Sequence, residues 1–152
     1  MKATILSPFV WRKYPGTKYP YRLIQPLQVR LDAPWLPIHP IITFICGKKI
    51  AELKDNILTI HTGYAIDGAS GAPLDEHILL EVFLHDLFYQ FGQATGAPWT
   101  RRDADQLFLQ LMRLHRFPLA RTYYHAVRLF GWFHYRSHSN TWLKFSPKYN
   151  AD

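Results

Sequence analysis

EHILLEVFLHDLFYQF, residues 76–91, decides the fold. It holds no proline or glycine and is apolar on most sides, so it predicts a largely buried helix, with Asp75 as its N-cap and Gly92 closing it. Such a helix must be covered by other elements, and its few polar residues stand out for that reason. His85 and Tyr89 are four residues apart and share a side. Asp86 sits about 100° further round, among Leu84, Leu87 and Phe88.

Downstream, QATGAP at 93–98 reads as a connecting loop. Thr100 followed by Asp103 resembles a capping box, with the acid in place of the usual Glu, and opens a second helix running to roughly His115. Asp105 shares a face with Phe108, Leu109 and Met112, so its carboxylate points the same way as core residues. A buried, unpaired charge costs several kcal/mol, and Asp105 therefore needs a partner on the neighbouring helix, for which His85 is the natural choice. Pro118 begins a third helix towards Tyr135, rich in Tyr, Phe and Trp, with Gly131 placed for a close approach.

Upstream, Pro8, Pro15, Pro20, Pro26, Pro34, Pro37 and Pro40 deny the first forty residues a long helix and predict an arm or edge hairpin of short extended pieces. Arg22 to Leu31 and Ile41 to Cys46 read as strands, and Ala51 to Ile60 as a hairpin turning at Lys54-Asp55-Asn56. Gly63 to Pro73 has the composition of a tight loop rather than a strand. The fold class is thus α+β in one domain over 1–152: a β-rich portion at 1–62, a loop and helix pair at 63–112, and a basic aromatic helix and tail at 113–152.

The totals narrow the function classes. Hydrophobic residues form 48 % and charged residues 19 % of the 152, with five Trp, nine Tyr and ten Phe, which suits a folded globule with an aromatic core rather than a disordered chain. Cys46 alone gives no disulfide framework and reads as a small buried hydrophobe. No stretch has the form of a signal peptide or the roughly 20 apolar residues of a membrane span, so a soluble protein is expected. The net charge is +7, yet ten of the eleven acids fall within residues 31–112. The flanks are therefore basic, able to meet phosphate or an anionic surface, or serving only as solvated charge.

A histidine bonded through one ring nitrogen to a carboxylate is fixed in tautomer and more basic, leaving its other nitrogen to take a proton from water. His85 would be that base and Asp105 its orienting group, with Tyr89 adding a hydrogen bond to Asp105. Asp86 would face the loop containing Asp67. Two carboxylates with the carbonyls of that loop, Gly68 included, suit a hard cation such as calcium. The plain alternative is a satisfied polar cluster that fastens the two helices.

The pieces D-G-A-S at 67–70 with Pro73, H-D-L-F-Y at 85–89 and R-R-D-A-D-Q-L-F at 101–108 together resemble a widespread phage-encoded family of unknown function. They are also similar to the prokaryotic and parvoviral phospholipases A2, which carry an H-D-x-x-Y helix and a second helix with an Asp before an aromatic. The likeness covers residues 63–112. It implies a hydrolase in which His85 activates water, Asp86 and Asp67 bind calcium, and Tyr89 with Asp105 orients the imidazole. It implies phospholipid or an anionic membrane as partner, or else a virion or assembly protein contacting other phage structural proteins, in the host cytoplasm or the virion.

Other chemistries are weaker. His77, Glu81 and His85 recur every four residues, but two turns separate the histidines, too far for one zinc ion, and His77 is expected to be an exposed first-turn residue. The stretch R-L-F-G-W-F-H-Y-R-S-H at 128–138 mixes bases and aromatics; core packing is favoured there over lipid, and nucleic acid is the less favoured partner. There is no P-loop, nucleophile elbow or dinucleotide fingerprint.

Overall fold

The computed structural model describes residues 2–32, 41–45, 48–68, 76–91 and 100–141. The chain is an α+β protein whose described strands belong to one compact unit and whose described helices belong to another. Among the described residues no helix is long and apolar enough to cross a membrane.

In the strand unit, β1 (Lys2–Ile5), β4 (Leu27–Asp32), β7 (Ile57–Ile60), β6 (Lys48–Lys54) and β5 (Ile41–Ile45) form a five-stranded antiparallel sheet in the order β1-β4-β7-β6-β5. A second sheet of β2 (Trp11–Lys13), β3 (Tyr21–Leu23) and β8 (Ala65–Ile66) has the order β2-β3-β8. Along β4, Leu27, Val29 and Leu31 are buried while Gln28, Arg30 and Asp32 are exposed, the alternation of a strand with one face on a core.

The expected hairpin is present: Asp55 and Asn56 both take positive φ, the geometry of a two-residue turn that matches the strand twist. The single strand expected over Arg22 to Leu31 is instead two. Proline cannot donate to a ladder, and across Ile24 to Pro26 the chain passes from one sheet to the other. The loop expected at Gly63 to Pro73 contains the short strand β8, because Ala65 and Ile66 pair with Arg22 and Tyr21. Asp75, Gly92 and Cys46 lie outside the described residues.

In the helical unit, a 3-10 turn at Glu76–Ile78 leads into α1 (Leu79–Phe91). From Leu79 to Tyr89 every side chain is buried except that of Asp86, as an all-round apolar helix requires. The capping box of α2 (Arg101–Leu114) forms as read: the Thr100 side chain accepts from the Asp103 amide, and Asp103 accepts from the Thr100 amide at 2.6 Å. At its other end Arg116 takes φ +57°, with Arg116 N–H on the Arg113 carbonyl and Phe117 N–H on the Met112 carbonyl. That is a Schellman closure with arginine where glycine is usual. The third helix, α3 (Ala120–Thr141), starts two residues after Pro118.

Candidate functional site

The helices α1 and α2 run antiparallel, so Glu81 meets His115, His85 meets Asp105 and Tyr89 meets Arg101. Asp105 is fully buried. Its Oδ1 accepts from His85 Nε2 at 3.0 Å and from the Tyr89 hydroxyl, and its Oδ2 accepts from an Arg128 Nη1 of α3 at 2.8 Å. Arg101 Nε lies 3.6 Å from the same Oδ2. A carboxylate can only accept, so the proton on His85 sits on Nε2 and the neutral ring carries its lone pair on Nδ1. Nδ1 lies 3.5 Å from Asp86 Oδ1, and Asp86 is the one residue from Leu79 to Tyr89 that is partly exposed. The imidazole packs against Tyr89 and Phe108 with tilted rings, at ring-centroid distances of 4.1 and 4.8 Å.

The electrostatics follow from these contacts. Burial presses the His85 imidazole towards its neutral form, but the hydrogen bonds to Asp105 and Asp86 outweigh it and lift its pKa above the usual 6.5. Burial alone would raise Asp105; the bonds from His85, Tyr89 and Arg128 instead hold its carboxyl below the ordinary range. Tyr89 is pushed well above a free phenol, first by burial and then by donating to Asp105. The Asp105 carboxylate is thus shared between the His85 imidazole and the Arg128 guanidinium.

Arg101 also ties α3 in. Its Nη2 donates to the Val127 carbonyl at 2.8 Å and to the Arg128 carbonyl, and its Nε donates to the Tyr89 hydroxyl at 3.2 Å. The Tyr89 hydroxyl reaches this position because Gly131 lacks a side chain: a Cβ there would lie 2.7 Å from the hydroxyl oxygen. Tyr89 has Asp105 and Arg101 on its hydroxyl and no slack to retreat. Gly131→Ala is expected to destabilise the helical unit by about 1–3 kcal/mol, read as a lower denaturation midpoint by circular dichroism at 222 nm. An unchanged midpoint would mean the ring moves freely and is not fixed on Asp105.

The expected trio of His85, Tyr89 and Asp105 is therefore brought together. Asp86 lies with its Oδ1 3.5 Å from His85 Nδ1 within the helical unit. Asp67 is exposed and Gly68 is buried with φ +97°, both directly after β8 in the strand unit. Among the described residues, no group of three or more His, Cys, Asp or Glu side chains is arranged to hold a metal ion. His77 is exposed, as anticipated.

Sequence reasoning missed Arg101, Arg128 and the pair Glu81–His115. Arg101 is four residues before Asp105 on one helix, a spacing that signals contact; Arg128 is on another helix and leaves no local trace. Glu81 is wholly buried, with Oε1 paired to His115 Nδ1 and Oε2 without a hydrogen-bond partner among the described residues. Compared with family models, with curated proteins and with solved structures, the chain matches none of them.

Proposed function

We propose that this protein is a phospholipase A2-like hydrolase of phage origin, with His85 as its general base. The observation that carries the proposal is the 3.0 Å bond from His85 Nε2 to a fully buried Asp105, which fixes the tautomer and leaves the basic lone pair on Nδ1, towards the partly exposed Asp86. A base so held takes a proton from water as the water oxygen attacks an ester carbonyl of a phospholipid. The tetrahedral adduct then expels the alcohol, which recovers the proton from the imidazolium, giving a fatty acid and a lysophospholipid. The buried Asp105 stabilises the imidazolium between the two steps.

Calcium belongs to the same proposal, with Asp86 the residue of the helical unit that would hold it. When bound it would polarise the ester carbonyl. The helical unit alone offers it Asp86, whose carboxylate also faces His85, so calcium is the separable part of the reading.

A second reading has its own support. Arg128 on Asp105 and Arg101 on the Val127 and Arg128 carbonyls join α1, α2 and α3 through one carboxylate, as a fastener in a non-catalytic virion, tail or assembly protein would. Fatty-acid release from mixed phospholipid vesicles, with calcium or with chelator, separates the two. Calcium-dependent release that is lost in His85→Ala is the expected result. Release indifferent to calcium removes the metal, and no release under either condition leaves the fastener.

A further inference from the structure

We propose that the outward face of α3 at Leu129–Trp132, with the elbow joining α3 to α2, docks on the surface of an anionic phospholipid bilayer. Within the aromatic stretch expected to pack in the core, Leu129, Phe130 and Trp132 are instead 67, 65 and 42 % exposed, and Leu119 in the elbow is 51 % exposed; the side chains of 133–138 lie outside those described. By helical spacing Trp132, Leu129 and Phe130 spread over about 160° of the cylinder, opposite the buried Ala120 and Gly131. An outward face on a surface helix is normally polar, and this one is not.

Charge identifies the occupant. No Asp or Glu occurs from residue 106 to 151, while Arg113, Arg116 and Arg121 are exposed at the elbow. Arg128, by contrast, turns inward to Asp105. Arg116 holds its place in a left-handed backbone conformation that favours glycine, at the tip of the turn. The exposed Leu114 and Leu119 flank these arginines in sequence at the elbow, and exposed apolar side chains on a basic segment suit an interface where headgroup phosphates lie over hydrocarbon; a folded partner with an acidic groove, or nucleic acid, would leave the exposed Leu and Phe without a dry contact. The choice of phospholipid rests on the hydrolytic reading, whereas exposure and charge stand without it.

Co-sedimentation of the intact protein with vesicles of dialkyl-ether phosphatidylcholine, with or without dialkyl-ether phosphatidylglycerol, tests the proposal, since ether lipids have no ester to cleave. Binding to the anionic vesicles is expected to exceed binding to the neutral ones by about tenfold or more, and to weaken about tenfold in 0.5 M salt. Leu129→Glu with Phe130→Glu, and separately Arg116→Gln with Arg121→Gln, should each weaken it to a similar degree while circular dichroism stays unchanged, because all four side chains are exposed. Equal binding to both vesicles, binding to neither, tighter binding to single-stranded DNA, or self-association removed by the glutamate pair would each overturn the docking surface. Ester hydrolysis without vesicle binding defeats only the docking, and vesicle binding without hydrolysis defeats only the enzyme.

Discussion

Asp105→Ala should cost the helical unit about 3–5 kcal/mol, the loss typical of removing one member of a buried ion pair. The carboxylate is fully buried and takes bonds from three residues on two other helices or turns of chain: His85, Tyr89 and Arg128. Without it, Arg101 and Arg128 face each other with no counter-charge, and the Tyr89 hydroxyl loses its acceptor. Asp105→Asn keeps the shape and one acceptor oxygen but turns an amide N–H₂ towards a guanidinium, so a smaller loss is expected. Urea unfolding of the three proteins, followed at 222 nm, checks the order. A loss below about 1 kcal/mol for the alanine variant would show that the cluster is solvated rather than buried.

His85→Ala should lower fatty-acid release by about 10²–10⁴-fold, the usual worth of a general base. The pH dependence carries more information. The base works when neutral, so release should rise with pH through a midpoint above 6.5, since Asp105 and Asp86 hold the proton on the ring. Stability should move the other way. A group whose pKa is raised by folding contributes stability that is complete below its unfolded pKa and fades as pH climbs through the folded one. Asp105 adds the opposite limb: its lowered pKa gives stability that is present above the unfolded carboxylate value and lost as pH falls through the folded one. The protein should therefore be firmest in mild acid and most active on its alkaline side. Release that peaks in acid and falls through neutrality would assign the proton transfer to some other group.

The helical unit was legible because its signals are local. Thr100 and Asp103 are three residues apart, so a capping box declares itself in sequence. The pairing of His85 with Asp105 followed from one energetic rule, that a carboxylate on an apolar face needs a partner, applied to the nearest histidine. The strand portion was less legible at its breaks. Pro26 could be read as tolerable at a strand edge, and only the pairing of β3 with β8 shows that the chain changes sheets there. The exposure of Leu129 and Phe130 on α3 was missed because period alone marks a face as apolar without saying how far it is buried. Arg128 was invisible for the converse reason, since its partner is twenty-three residues away.

The two acid–imidazole pairs between α1 and α2 are reciprocal: α1 supplies Glu81 and His85, and α2 supplies His115 and Asp105 in return. Sliding one helix a turn along the other would break both pairs at the same moment. The pair is thus latched against ratchet-like motion, and any breathing of this unit is left to a swing of α3 about its elbow, which must release both Arg128 from Asp105 and Arg101 from the Val127 and Arg128 carbonyls.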